Sequence, residues 1–201
     1  METKEFKSYK ETIEYSKKNP ANDNIFFLGA QLWERKIAWD YLKEEKGIID
    51  YQFTSYSGTD RYDLIYRKDK ITRIVEIKFR YVNSDQYTSS MCEKDKFHFL
   101  LDESARRNCI AEYWNIFLDG VIKIYDFRYV VKTEANFSRD ASDSYNTQNK
   151  KNYPMYLLTE DDVYTKKFRN DISIDEINRF ASKELRKRGF EVPNDFKLNK
   201  K

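Results

Sequence analysis

Apolar and polar residues alternate along the chain with two different periods, that of a helix and that of a β-strand. Between residues 24 and 46, apolar residues recur at the spacing of one helix face, which predicts a first helix. Asp23 or Asn24 suits the position before this helix, and Gly47 suits the position after it. Three runs rich in β-branched and aromatic residues follow and predict three strands, namely IIDYQFTSYS, YDLIYR and ITRIVEIKFRY.

The second half of the chain repeats this alternation. Ser90 and Glu93 have the spacing of a capping box, which predicts a helix from Ser90 to about Arg106. Asp119-Gly120 separates the apolar runs CIAEYWNIFL and VIKIYDFRYVV, which predicts a hairpin. Residues 133–153 are polar and predict a functional or disordered loop, followed by a short strand at PMYLL. A last helix is predicted by a second capping box, an apolar stripe and a terminal glycine: Ser173, Glu176, Ile174, Ile177, Phe180, Leu185 and Gly189.

The predicted order is helix, three strands, helix, two or three strands, helix. This order indicates a mixed α/β domain built around a central sheet. We expect an N-terminal segment over residues 1–22, an α/β domain over residues 23–164, and a basic helix and tail over residues 165–201 that packs on the same domain.

Composition places this domain among ordinary globular proteins. The chain has 201 residues, of which 40% are hydrophobic and 35% are charged. No apolar run reaches about 18 residues, so no membrane helix is expected, and the N-terminus lacks the apolar centre of a signal peptide. Cys92 and Cys109 do not make a disulfide framework. Together these features predict a soluble protein of a reducing cytoplasm.

The charge is distributed unevenly along the chain. The net charge is +3, but residues 164–201 hold 11 basic and 6 acidic residues. A basic end could contact a polyanion such as nucleic acid, or it could be a solvated helix face. The candidate phosphate contacts are Arg186, Lys187 and Arg188 near this end, with Lys150 and Lys151 in the polar segment.

An acid and a base stand side by side in the predicted strand ITRIVEIKFRY. Glu76 and Lys78 are two residues apart, so they share one face of the strand. If Asp69-Lys70 forms the tip of a hairpin, Asp63 lies directly opposite Glu76. Two opposed carboxylates need a proton, a cation or a metal between them, and hard oxygen ligands suit magnesium. The composition of the site therefore fits metal-assisted hydrolysis of a phosphodiester.

Plainer interpretations remain open, and several other chemistries have no support. Glu76 and Lys78 could form a surface ion pair worth about 0–1 kcal/mol. The chain has no GxxxxGK[ST] motif for a P-loop. Its single histidine, His98, lies in a predicted helix and gives no Ser–His–Asp arrangement, and two distant cysteines do not make a typical zinc site.

The spacing of Asp63 and Glu76-Ile77-Lys78 resembles the PD-(D/E)XK nuclease superfamily. That family places an Asp near one strand and a Glu-x-Lys on the next, often with a glutamate on the preceding helix, where Glu34 stands here. The resemblance implies a restriction-endonuclease-like αβββαβ core with a mixed central sheet flanked by helices, over residues 24–131. One departure is Tyr62, which stands in place of the proline that names the family.

The resemblance also implies roles for these residues. Asp63 and Glu76 would bind Mg²⁺, for which Mn²⁺ would substitute, together with the Ile77 carbonyl. Glu34 would support or bind the metal, and Lys78 would be catalytic. The expected protein is an intracellular bacterial or phage endonuclease acting on DNA, with RNA as a further possible substrate. Restriction-type, phage or repair, and junction-resolving enzymes all fit.

Two further expectations concern partners and alternatives. Cutting two strands would favour a two-fold dimer, and no membrane partner is expected. The alternatives are a non-catalytic nucleic-acid-binding module on the same scaffold and an interaction protein whose charges serve only solubility.

Overall fold

The structure, a computed structural model, describes residues 25–54, 62–138, 152–159 and 163–198. Within these residues the chain forms three helices and nine strands. The helices are α1 (Ile25–Glu44), α2 (Lys94–Arg107) and α3 (Ile174–Lys187). The strands are β1 (Ile48–Phe53), β2 (Leu64–Lys68), β3 (Ile71–Arg80), β4 (Ser89–Glu93), β5 (Ile110–Phe117), β6 (Val121–Asp126), β7 (Lys132–Ser138), β8 (Asn152–Thr159) and β9 (Tyr164–Lys167).

Six strands form a central mixed sheet in the order β1-β2-β3-β5-β6-β9. Strands β3 and β5 are parallel, and the other neighbours in this sheet are antiparallel. The parallel step needs a crossover, which β4 and α2 provide. A second sheet has the order β4-β8-β7. The predicted mixed α/β fold, with a central sheet between helices and an αβββαβ order, is confirmed.

The central sheet is covered on both faces. Helices α1 and α3 pack on one face, and α2 and the small sheet pack on the other. In β3 the side chains alternate between these faces. Val75 and Ile77 face α1, whereas Ile74 faces α2. Glu76 and Lys78 therefore belong to the face of α2.

The β2–β3 hairpin has the predicted register. Lys68 pairs with Ile71, and Leu64 pairs with Val75. Asp69 and Lys70 form the two-residue tip, and both have positive φ, at 51° and 66°, as a turn matching the twist of the strands requires. Asp63 lies immediately before β2, and β2 pairs with β3, the strand that contains Glu76.

Two other local predictions are confirmed. Asp119-Gly120 lies between β5 and β6, with φ of 71° at Gly120. The Ser173 side chain accepts a hydrogen bond from the amide of Glu176 and caps α3. Gly189, at φ 76°, follows the end of this helix.

Two local predictions are wrong. Ser90 does not begin a helix, because it pairs with Leu158 within β4 and its hydroxyl bonds the buried hydroxyl of Tyr125. Helix α2 begins only at Lys94. The polar segment predicted as a loop begins as strand β7, whose backbone pairs with β8 despite the polar side chains.

Several expectations concern parts of the chain that the structure leaves undescribed. The segment 1–22 and the cap at Asp23 or Asn24 lie outside the described residues, as do Lys150 and Lys151. The predicted boundary between residues 164 and 165 falls inside β9, a strand of the central sheet, and α3 packs on α1. None of the described helices is long and apolar enough to cross a membrane.

Candidate active site

The site forms where β3 continues past the start of β2. The pairing ends at Leu64 and Val75, yet β3 runs on to Arg80. Along this unpaired part of β3, two carboxylates accept the backbone amide hydrogen bonds in place of a neighbouring strand. Asp63 Oδ2 accepts the Ile77 amide at 2.8 Å, and Glu34 Oε1, from α1, accepts the Phe79 amide at 3.0 Å.

Glu76 is buried on the α2 face of β3, where two ammonium groups hold its carboxylate. Lys78 Nζ lies 2.8 Å from Oε1, and Lys96 Nζ lies 2.9 Å from Oε2. The Lys78 side chain is 39% exposed and that of Lys96 24%. Both oxygens of this buried anion are therefore paired with groups that reach solvent.

The backbone around Asp63 is held by the end of β1. The Asp63 carbonyl accepts the amide of Thr54 at 2.9 Å, and the Thr54 hydroxyl donates to the carbonyl of Tyr62 at 2.7 Å. Arg35 of α1 is buried and donates to the Thr54 carbonyl. This chain of contacts fixes Asp63 relative to both the sheet and α1.

Burial makes ionisation of the two edge carboxylates less favourable than it is in water. Burial, and then the neighbouring charge of Glu76, raise the pKa of Asp63 to about 7. Burial also raises the pKa of Glu34, although the charge of Lys78 and the Phe79 amide oppose it. A cation placed between these groups would relieve this cost.

The central ion pair behaves in the opposite way. Burial works to raise the pKa of Glu76, but the ammonium groups of Lys78 and Lys96 outweigh it and hold the pKa below its usual range. Burial works to lower the pKa of Lys78, but the carboxylates of Glu76, Glu34 and Asp63 raise it well above its usual value. Lys78 is therefore a cation at neutral pH.

The donor set suits a hard divalent cation. Asp63 and Glu76 supply carboxylate oxygens. The Ile77 carbonyl points to the same edge as the Ile77 amide, because both groups of an extended residue share one side. Magnesium is commonly held by one or two carboxylates plus waters and substrate phosphates. In the described ranges, no group of three His, Cys, Asp or Glu side chains is placed to hold a metal. Two carboxylates and a carbonyl could hold one only if waters or substrate oxygens completed its coordination.

The sequence predictions for this site can now be compared with the geometry. The structure brings Asp63, Glu76, Lys78 and Glu34 to one region of β3, with Glu34 bonded to the backbone of that strand. Lys96 was missed, because nothing in its local sequence marks it. Its position depends on how α2 docks on the sheet.

The predicted phosphate contacts at the C-terminal end lie elsewhere. Helix α3 packs on the α1 face of the sheet, opposite to the face of Glu76. Arg186 and Lys187 are exposed, and Lys187 pairs with Glu184. Arg188 is half-buried and also contacts Glu184. The described structure therefore does not join these residues to the site, and Lys150 and Lys151 lie outside it.

The structure also describes the surroundings of the histidine and the two cysteines. His98 bonds the hydroxyl of Tyr156 at 3.0 Å. Cys92 is buried and Cys109 half-buried, and both are free thiols.

Comparisons with known proteins give a likeness in structure. No protein-family model matches the chain, and no curated protein matches it. A solved structure of Hjc, a Holliday junction resolvase from the archaeal hyperthermophile Archaeoglobus fulgidus, is similar with a TM-score of 0.43 and 11% sequence identity. The alignment covers 65% of this chain and 84% of that one.

Proposed function

We propose that this protein is a metal-dependent phosphodiester hydrolase that acts on DNA as an endonuclease. One observation carries the proposal. Asp63 and Glu76 come from separate segments, yet their charges interact and Asp63 accepts the amide next to Glu76. The ammonium of Lys78 is bonded to Glu76. Like charges placed opposite each other destabilise a sheet, which favours a functional reason for this arrangement.

Asp63, Glu76 and the Ile77 carbonyl would hold Mg²⁺ or Mn²⁺. Each Glu76 oxygen contacts one ammonium group, and a carboxylate has about four lone-pair sites, so an ion could be added without expelling both lysines. The bound ion would supply a water of lowered pKa and offset charge on the phosphate.

Lys78 would stabilise charge rather than remove a proton at the start of the reaction. Its pKa is raised well above the ordinary lysine value by three carboxylates, so the ammonium form dominates. It is partly exposed next to Glu76, where it could donate to a phosphate oxygen whose negative charge grows in the transition state.

Glu34 would support the same centre through the backbone. Its carboxylate fixes the Phe79 amide, two residues beyond Ile77 on the same strand edge. We propose that it orients this edge and adds negative charge near Lys78, without assigning it direct contact with the ion.

The second candidate is a nucleic-acid-binding module without catalysis. Its support is that both oxygens of Glu76 are already neutralised by lysines, and that among the described residues no three acidic or other ligating side chains gather around one point. Such a module would bind phosphates through lysine and arginine, with an affinity that falls steeply with salt.

The experiment is a nicking assay on supercoiled plasmid, linear duplex and four-way junction DNA, with and without Mg²⁺. We expect cutting that requires Mg²⁺ and falls by about 10²–10³-fold in Lys78→Ala, the effect of losing one charge-stabilising group. Lys183→Ala, an exposed lysine of α3, is the matched control and should cut like the wild type.

The outcomes separate the two candidates. Salt-sensitive DNA binding without cutting, identical in wild type and Lys78→Ala, would support the binding module. Equal cutting by both proteins would refute the role given to Lys78, and a wild type that neither binds nor cuts DNA or RNA would refute both candidates.

A further inference from the structure

We propose that Arg80 binds a substrate phosphate beside the metal centre, and that Asn115 is a positioning residue that holds its guanidinium. The inference rests on the proposed function and extends it to a second point of contact with DNA. It concerns residues that carry no role in the nuclease resemblance.

Arg80 is the third charged residue on the α2 face of β3. It follows Glu76 and Lys78 at two-residue intervals, so its Cα lies about 6.6 Å beyond that of Lys78. Its charge reaches the site, because it contributes to lowering the pKa of Glu34 against the effect of burial. Arg80 is half-buried at the end of the strand.

Three neutral acceptors fix the guanidinium in one orientation. Arg80 Nε donates to Asn115 Oδ1 at 2.5 Å. Nη2 donates to the Met91 carbonyl at 3.0 Å and to the Tyr113 hydroxyl at 3.1 Å. The remaining nitrogen, Nη1, makes no hydrogen bond within the part of the chain that the structure describes. The group is thus oriented in advance, with Nη1 left to donate to a ligand.

The partners of Arg80 also leave its charge in place. Across the described residues, no carboxylate lies within ion-pair distance of Arg80, whereas Arg73, Arg107 and Arg128 each pair with one. Hydrogen bonds to neutral oxygens direct a guanidinium without neutralising it. A planar cation held in this way suits a phosphate oxygen, to which the remaining Nη1 can donate a charge-assisted hydrogen bond.

Asn115 shows that this orientation has a cost in stability. The residue lies in the middle of β5, opposite Lys78, and is fully buried. Its Oδ1 accepts from Arg80, but its Nδ2 has no partner among the described residues. An unpaired buried donor destabilises the folded protein. An apolar residue would avoid this cost, so the amide is best explained by its hold on Arg80.

The test measures binding of fluorescein-labelled duplex and four-way junction DNA by anisotropy, without divalent metal and over a range of salt. Arg80→Gln should weaken binding about tenfold, the loss of one charged hydrogen-bonded contact, and reduce the slope of log K against log salt by about 0.9. Arg80→Lys should keep the slope and recover part of the affinity.

Asn115→Val and Arg67→Gln complete the design. Asn115→Val should weaken binding about threefold with an unchanged salt slope, while its melting temperature stays at or above that of the wild type. A purely structural role would instead lower the melting temperature and leave binding by the folded protein unchanged. Arg67, exposed on β2 and paired with Asp50, is the charge-matched control and should change binding less than twofold.

Failure of this inference can be told apart from failure of the proposed function. A wild type that cuts DNA, with Arg80→Gln and Arg80→Lys both binding like the wild type, would overturn the inference alone. A wild type that neither binds nor cuts DNA would overturn the proposed function and the role of Arg80 together. If Arg80→Gln does not fold, the binding of Arg80→Lys and Asn115→Val tests the role of Arg80 instead.

Discussion

Two buried glutamates of the same sheet, Glu76 and Glu112, have opposite surroundings. They are 2% and 5% exposed. Glu112 Oε2 accepts the Tyr66 hydroxyl and the Trp114 indole N–H, each at 2.8 Å, and Oε1 pairs with Arg73 Nε at 3.0 Å. Aromatic rings and a mostly buried guanidinium therefore enclose Glu112, whereas lysines that reach solvent hold Glu76.

The comparison teaches that burial of a carboxylate does not by itself mark an active site. Burial raises the pKa of Glu112 despite its donors, whereas the two lysines hold the pKa of Glu76 below its usual range against the effect of burial. Donors enclosed in the core, such as those around Glu112, make a carboxylate structural. Lysines that reach solvent, beside other carboxylates at a strand edge, leave a carboxylate whose partners could be exchanged.

The largest expected effect separates the two glutamates by stability. Glu112→Ala should lower the free energy of unfolding by about 3–5 kcal/mol, because it leaves a guanidinium and two aromatic donors without their acceptor in the core. Glu76→Ala should cost less than about 1 kcal/mol, because both of its lysines reach water. Urea unfolding followed by tryptophan fluorescence measures both values.

The effects of the same two variants on activity should be the reverse of their effects on stability. Folded Glu112→Ala should still cut DNA, and Glu76→Ala should not. Equal losses of stability in the two variants would remove the distinction between a structural and an exchangeable carboxylate.

The next effect concerns pH and metal. Because the pKa of Asp63 is raised to about 7, a proton competes with the metal below that pH. Binding of Mn²⁺, measured by calorimetry, should weaken about tenfold for each pH unit below 7 and become constant above it. Glu112→Gln should leave this profile unchanged, and Asp63→Asn should remove it.

The same shift has a consequence for the metal-free protein. The folded state holds the Asp63 proton more tightly than the unfolded chain, in which the pKa is 3.8. The free energy of unfolding should therefore fall as pH rises from about 4 to about 7, and Asp63→Asn should reduce this fall. A pH-independent affinity for Mn²⁺ between pH 5 and 8 would contradict the placement of Asp63 at the metal.

The smallest effect tests the lysine contributed by α2. Lys96→Gln should reduce cutting about tenfold, as expected when a group that orients a metal ligand is lost. Lys94→Gln is the matched control from the same helical turn. Lys94 pairs with Glu134, a largely exposed carboxylate, so its loss should change the rate less than twofold. Similar cutting rates in the two variants would show that Lys96 has no role in the reaction.

Much of the hairpin and its acids could be predicted because local rules determine them. A polar two-residue tip and the alternation of apolar residues set the register of β2 and β3, and the register sets the position of Asp63. Arg80 was open to the same reasoning, because it shares the face of Glu76 and Lys78 by residue parity alone.

Other features depend on tertiary contacts that local sequence does not encode. Ser90 has the spacing of a helix cap, but pairing with β8 draws it into a strand. The polar strand β7 lies beside β8 at the end of a sheet, where backbone pairing outweighs side-chain propensity. Lys96 and Asn115 acquire their roles only when α2 and β5 are placed next to β3.

The hydrogen bonds of Asp63 and Glu34 to the β3 backbone also have a consequence for self-association. Strand edges with unoccupied amides act as templates for another chain, and charged side chains are a common defence against such self-association. Here the amides of Ile77 and Phe79 are already taken by carboxylates. Another strand would have to displace two acids before it could pair with this edge. The acids that we assign to chemistry would therefore also hinder association through it.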